Sequence, residues 1–152
     1  MEALSETEEG EYDHDFRADP EPYRVGRGEE AVFKVQPYKS ELLQHWQYAE
    51  AEAAAEAAEA IYELFLRYRR RGEFVGMDMA RKYLQMGYTR AMRYAHYPGG
   101  RKYDENGYQR ETVEWADPEK RRAARVFAHV LERVEGDEVY QQRKRAWCEE
   151  RG

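Results

Sequence analysis

Large aliphatic side chains are scarce in this chain, and their scarcity limits the kind of core it can build. Leu, Ile, Val and Phe together make up 22 of the 152 residues, which is below the level of about 20% under which chains often remain disordered. Thirteen Tyr, three Trp and five Met supply further apolar bulk. Because a formal net charge of −6 does not force the chain to expand, we expect a fold with a thin, aromatic-rich core.

The length fits one domain, and the charge distribution sets its expected limits. Residues 1–16 carry seven acids and no Lys or Arg, so we expect residues 1–11 to form a disordered acidic tail and residues 12–152 a single mainly helical domain. The longest uncharged stretch, residues 42–49, is far shorter than the ~20 residues of a membrane-spanning helix. With acids rather than a basic and apolar leader at its start, the chain is expected in the cytoplasm, away from membranes.

Apolar periodicity predicts three to four helices. The first starts near Ala51, where alanines and larger apolar side chains recur at spacings of three and four, and ends near Gly72. The second runs from Asp78, as a cap or first-turn acid, to His96. Because the first helix presents small alanine side chains, we expect Gly87 of the second to pack closely against it.

Turn and capping signals predict the remaining elements. Asp117 followed by Pro118 starts a third helix that stops at Gly136, and Asp137 caps a short fourth. Before the first helix, residues 23–25 and 31–35 flank a glycine-bearing turn and predict a short N-terminal β-hairpin. We expect the flanking prolines to keep helices out of its approaches.

The middle of this acidic chain is strongly basic. Residues 67–103 carry ten Lys or Arg and only two acids, and three of these bases share one face of the second helix at 100° per residue. The candidate nucleic-acid or anion-binding residues are Arg69, Arg70, Arg71, Arg81, Lys82, Arg93, Gly99, Gly100, Arg101 and Lys102, with Tyr88, Tyr97 and Tyr103 as candidate stacking residues. Arg90 and His96 are core-edge or functional residues, and the helical geometry favours an ion-pair or stacking role for Arg90 at the edge of the core.

This pattern favours binding to nucleic acid or another polyanion, because cationic side chains neutralise phosphates and exposed tyrosines stack on unpaired bases. A second hypothesis is a protein-interaction scaffold without catalytic activity, since 31 acids against 25 bases allow internal pairing or docking of an acidic protein. The oligomeric state stays open.

A third hypothesis is a small enzyme with its site near Arg90, His96, Asp104 and the Gly99–Gly100 loop. The sequence argues against it, because the four histidines are far apart and no HExxH, Walker or dinucleotide motif is present. Cys148 is the only cysteine, which excludes an intrachain disulfide and a Cys-based zinc cluster. We therefore expect no catalytic residue, metal or other cofactor.

Five stretches carry a resemblance to a known family. They are YRVGRG at residues 23–28, PYKSE at 37–41, FVGMDMARK at 74–82, LQMGYTR at 84–90 and GGRKYD at 99–104. Over roughly residues 12–145 the chain resembles domain-of-unknown-function family 4385, a group of short proteins of bacteria, fungi, plants and phages. The resemblance implies no catalytic residue, because the family carries no assigned function.

Overall fold

The computed structural model describes residues 14–26, 33–47, 50–97, 101–111 and 117–151. These residues form five α-helices in chain order: α1 (Tyr38–Leu43), α2 (Ala51–Arg71), α3 (Phe74–His96), α4 (Pro118–Glu135) and α5 (Glu138–Arg151). The three long helices α2, α3 and α4 pack against one another, and α1 and α5 pack against α3. The prediction of a mainly helical fold is confirmed, while the acidic tail lies outside the described residues. None of the described helices combines the length and the hydropathy that crossing a membrane requires.

Local signals explain most helix ends. Gly72 follows α2 with φ 71°, a left-handed conformation that favours glycine. The carboxylate of Asp117 accepts hydrogen bonds from the backbone N–H groups of Glu119 and Lys120 at the start of α4. Asp137 accepts one from the N–H of Tyr140 at 2.9 Å. These three boundaries are where the sequence predicts them.

Two helix predictions are wrong. The second predicted helix, now α3, begins at Phe74 rather than at Asp78, because residues 74–80 are all buried and therefore show no polar face to mark the start. Asp78 is thus an interior residue and not a cap. The short helix α1 is the second difference, because the sequence predicts no helix next to Pro37. A proline disrupts the interior of a helix but is tolerated at its start, and α1 starts directly after Pro37.

The expected N-terminal β-hairpin is not supported. The first predicted arm carries no strand, and residues 27–32, which include most of the turn, lie outside the described residues. Side chains instead take up the backbone oxygens of this segment. The indole N–H of Trp147 donates to the oxygen of Tyr23 at 2.9 Å, and the ammonium of Lys82 donates to the oxygen of Gly26 at 2.5 Å. These two oxygens are therefore satisfied without a paired strand.

The core is rich in aromatic side chains, as the composition predicts. The bulkiest fully buried side chains are Tyr38, Tyr68, Tyr83, Tyr140, Phe65 and Phe127. Four of these six are tyrosines, whose hydroxyl groups seek hydrogen-bond partners when buried. A core of this composition therefore brings polar groups into the interior along with the apolar rings.

Gly87 makes a close contact, but with a different helix from the one expected. A Cβ added at Gly87 would lie 2.7 Å from carbons of the Phe127 ring on α4. The glycine that approaches α2 is Gly76, where an added Cβ would lie 2.7 Å from the Tyr68 ring. The two glycines of α3 therefore make room for the rings of Tyr68 and Phe127, and not for the alanine face of α2.

We predict that Gly87→Ala destabilises the protein by about 1 to 2 kcal/mol. An added Cβ only 2.7 Å from the Phe127 ring should cost about 2 to 3 kcal/mol, the upper part of the overpacking range. The ~1 kcal/mol that alanine gains over glycine inside a helix offsets part of this cost. Urea unfolding measures the change. Gly26→Ala is the control, because no atom lies within 4 Å of its added Cβ. Equal unfolding midpoints for the two variants would contradict the close approach.

Candidate functional site

The basic residues predicted to share one exposed face of α3 do not form such a face. The side chain of Arg81 is 13% exposed and its Nε lies 3.3 Å from a carboxylate oxygen of Asp78. Lys82 is only 4% exposed, and burial lowers the pKa of its ammonium group. At the end of α2, Arg69 pairs with Asp137. Three of the ten predicted anion-binding residues are therefore paired or hydrogen-bonded within the molecule.

Asp78 is the centre of a buried polar cluster. Its carboxylate, with no exposed surface, accepts hydrogen bonds from the hydroxyl of Tyr23 and from that of Tyr140 at 2.6 Å, and it pairs with Arg81. Burial raises the pKa of both tyrosine hydroxyls, which keeps them protonated as donors. Burial alone would lower the pKa of Arg81, but the charge of Asp78 outweighs it and raises the pKa. The cluster joins the N-terminal segment, α3 and α5.

A second cluster surrounds Arg17 in the N-terminal segment. Its guanidinium donates two hydrogen bonds to Glu41, at 2.8 and 2.9 Å, and one to Glu73 at 2.9 Å. Tyr38 donates to Glu73 at 2.9 Å and Tyr68 to Glu41 at 2.7 Å. Burial alone would raise the pKa of Glu41, but the hydrogen bonds from Arg17 and Tyr68 outweigh it and lower the pKa. This cluster ties α1 and the N-terminal segment to α2 and the start of α3.

Several other predicted site residues lie elsewhere. Arg70, Arg71 and Arg93 are exposed. Gly99 and Gly100, where a phosphate-binding nest was expected, lie outside the described residues.

The two core-edge candidates and two of the stacking candidates are at least half-buried. The guanidinium of Arg90 lies over the Trp46 ring, 5.5 Å from its centroid, and His96 is half-buried. Tyr88 is half-buried and Tyr97 is 9% exposed, so only Tyr103 of the three candidate stacking residues presents its ring to solvent.

Residues 101–110, here called the tyrosine turn, form the most exposed aromatic feature of the described chain. Tyr103 is 56% and Tyr108 72% exposed. Tyr108 is not among the predicted site residues, although the preceding Asn106–Gly107 pair marks a tight turn and so indicates an exposed neighbour. The ammonium of Lys102 lies 6.0 Å from the centroid of the Tyr103 ring.

Hydrogen bonds to the Asp104 carboxylate and within the main chain support the tyrosine turn. One carboxylate oxygen of Asp104 accepts the N–H groups of Asn106 and Tyr108 at 2.9 and 3.0 Å. Gly107 has φ 86°, which favours glycine. The N–H of Arg110 donates to the oxygen of Lys102 at 2.8 Å. The turn is thus held without any contribution from the hydroxyls of its two tyrosines.

A shallow cavity of about 400 Å³ opens beside the tyrosine turn. It is lined by Arg101, Tyr103, Asp104, Glu105 and Arg110. The turn is joined to the end of α3 by a hydrogen bond from the Gln109 amide to the Tyr97 hydroxyl at 3.2 Å. With three cations and two carboxylates, the turn carries a formal charge of +1 next to two exposed aromatic rings.

The structure also locates the residues of the enzyme hypothesis. Arg90 stacks on Trp46 and Asp104 holds its own turn, so each has a structural contact. Among the described residues, no group of three or more His, Cys, Asp or Glu side chains is placed to hold a metal ion.

We predict that Tyr140→Phe destabilises the protein by about 1.5 to 3 kcal/mol, the usual contribution of a hydrogen bond to a charged group. The variant removes only the hydroxyl that donates to Asp78. Tyr62→Phe is the control: within the described residues its hydroxyl makes no hydrogen bond, so we expect a change below about 0.5 kcal/mol. Urea unfolding measures the free energy of unfolding of both variants. An equally small change for Tyr140→Phe would show that the Asp78 cluster contributes little to stability.

We predict that stability falls as pH rises through about 10, the ordinary pKa of tyrosine. Burial raises the pKa of Tyr23, Tyr38, Tyr68, Tyr83 and Tyr140. Above this pH the folded chain keeps protons on these hydroxyls that the unfolded chain releases. The free energy of unfolding therefore falls as the pH rises. Urea unfolding at a series of pH values measures the decline, which should be smaller in Tyr140→Phe. A stability that does not change in alkali would contradict this assignment.

Comparison with known proteins identifies the family of this chain. No curated protein and no solved structure matches the chain. The model of a domain of unknown function, DUF4385, matches residues 6–150, which is nearly the whole chain and includes α1 to α5 almost entirely. The chain therefore belongs to the DUF4385 family.

Proposed function

We propose that this protein binds single-stranded nucleic acid through the tyrosine turn. The observation that carries the proposal is the exposure of Tyr103 and Tyr108 on a turn that also carries the exposed Arg101 and the half-buried Lys102 and Arg110. Most of the Phe, Tyr and Trp side chains that the structure describes are buried. Two exposed rings on one turn, beside three cations, are the combination that binding to unpaired nucleotides uses.

The chemistry favours single strands over duplex. Each base of a single strand has an open π face, and stacking on an aromatic side chain contributes about 1 to 3 kcal/mol per base. In a duplex these faces are covered by neighbouring base pairs. Because the turn is already held by Asp104 and the main chain, ordering it on binding costs little entropy.

Charge sets the expected strength. The turn has a formal charge of only +1, and the whole chain carries −6. The exposed Arg93 lies one helical turn before Tyr97, to which the turn is bonded, and can extend the cationic surface toward α3. We therefore expect weak binding at moderate salt that strengthens as the ionic strength falls.

We predict that Tyr103→Ala and Tyr108→Ala each weaken binding of a fluorescent single-stranded oligonucleotide by about 5- to 150-fold, the range that corresponds to the loss of one stacked base. Fluorescence anisotropy at low ionic strength measures the affinity. Arg101→Gln should weaken binding and reduce the salt dependence by about 0.7 in the log–log slope, the value for one phosphate contact on a single strand.

Arg145→Gln is the matched control, because it removes the same charge from an exposed position on α5 outside the tyrosine turn. It should leave the affinity and the salt slope nearly unchanged. The proposal fails if the protein does not bind the oligonucleotide at low ionic strength. It also fails if the two alanine variants bind as tightly as the parent.

A further inference from the structure

A groove between α2 and α4 forms a second potential binding surface, separate from the tyrosine turn. It has a volume of about 280 Å³. Its lining residues are Ala55, Glu59, Arg125, Val126, His129, Val130 and Arg133. No residue of the tyrosine turn is among them, so a ligand of this groove is a separate question from nucleic-acid binding.

The groove combines an apolar wall with a row of basic side chains. Arg125, His129 and Arg133 are spaced four residues apart on α4 and therefore lie on one face, about 6 Å apart along the axis. Val126 and Val130 lie next to them, and the small side chain of Ala55 on α2 leaves room opposite. A molecule in this groove meets apolar carbon on one side and cationic or hydrogen-bonding groups on the other.

The basic row is only partly neutralised by the protein itself. Arg133 pairs with Glu59 at 3.0 Å and its guanidinium lies 4.6 Å from the centroid of the Tyr62 ring. Glu59 is the only carboxylate among the lining residues. Arg125 and His129 are exposed, and neither makes a hydrogen bond or ion pair within the described part of the chain. Two donors one turn apart thus line the groove without a hydrogen-bond partner among the described residues.

We infer that this groove binds a small amphipathic anion, in which a phosphate or carboxylate group is attached to an apolar body. The anionic oxygens bind between Arg125 and His129, where a guanidinium and an imidazole N–H donate charge-assisted hydrogen bonds. The apolar body packs on Val126 and Val130. The volume lies just below the range of about 300 to 1,000 Å³ typical of small-molecule sites, which limits the body to about the size of one or two rings.

The test uses naphthyl phosphate as the probe and the full chain, with affinity measured by isothermal titration calorimetry. Naphthol has the same rings without the phosphate group and so tests the contribution of the anion. Inorganic phosphate lacks the rings and so tests the contribution of the apolar body. We expect naphthyl phosphate to bind more tightly than either. Arg125→Gln and His129→Gln should each weaken its binding by about tenfold or more, the factor that corresponds to one hydrogen bond to a charged group.

Arg122→Gln is the matched control. Arg122 is on the same helix, pairs with Glu119 at 2.5 Å and does not line the groove, so its substitution should leave naphthyl phosphate binding unchanged. Ala55→Leu should abolish binding by filling the groove, and circular dichroism checks that each variant is folded. Naphthoate, which carries a carboxylate on the same ring, should also bind.

Three results would overturn the inference. They are no measurable binding of naphthyl phosphate, equal binding of naphthol, or binding that Arg125→Gln and His129→Gln do not weaken. Tyr103→Ala serves to separate the two proposals. It should impair oligonucleotide binding and leave naphthyl phosphate binding unchanged, so that either proposal can fail without the other.

Discussion

The buried carboxylate of Asp78 is the constraint on which the arrangement of this chain depends. A charge without solvent contact costs several kcal/mol unless it is paired and hydrogen-bonded, and here Tyr23, Tyr140 and Arg81 provide those partners. They come from the N-terminal segment, α5 and α3 itself. Placing one acid inside α3 therefore requires the two ends of the described chain to meet at that helix, and Trp147 adds a second bond to the Tyr23 backbone.

Internal pairing also explains why Arg81 and Lys82 do not form the exposed basic face of α3 that the sequence predicts. Residues 67–103 contain a large excess of Lys and Arg, yet Arg69 and Arg81 pair with acids and Lys82 bonds a backbone oxygen. Their partners are near in space and mostly distant in sequence, at Asp137 and Gly26. A charge count along the chain does not include such pairing. A helical-wheel projection places Arg81 and Lys82 outward because it considers only one helix and none of its neighbours.

The sequence predicts the features of the fold that depend on local chemistry. The end of α2 at Gly72, the cap at Asp117 and the cap at Asp137 follow from backbone conformation and side-chain hydrogen bonds within a few residues. The start of α3 and the lack of a strand at residues 23–25 depend on the burial of residues 74–80 and on hydrogen bonds from Trp147 and Lys82. Those contacts span more than fifty positions, which is why periodicity and turn signals gave the wrong result.

The tyrosines also show this difference between local and distant determinants, because a tyrosine ring can either pack in the core or bind a ligand at the surface. Tyr83 is buried and Tyr103 exposed, although both stand beside basic residues in the sequence. The two tyrosines differ in their surroundings. Tyr83 lies in a helix that is packed between other elements, whereas the turn at Tyr103 is held by Asp104 and its own main chain. Since the turn does not depend on the phenol groups for its conformation, their removal tests binding without disturbing the fold, which the buried tyrosines do not permit.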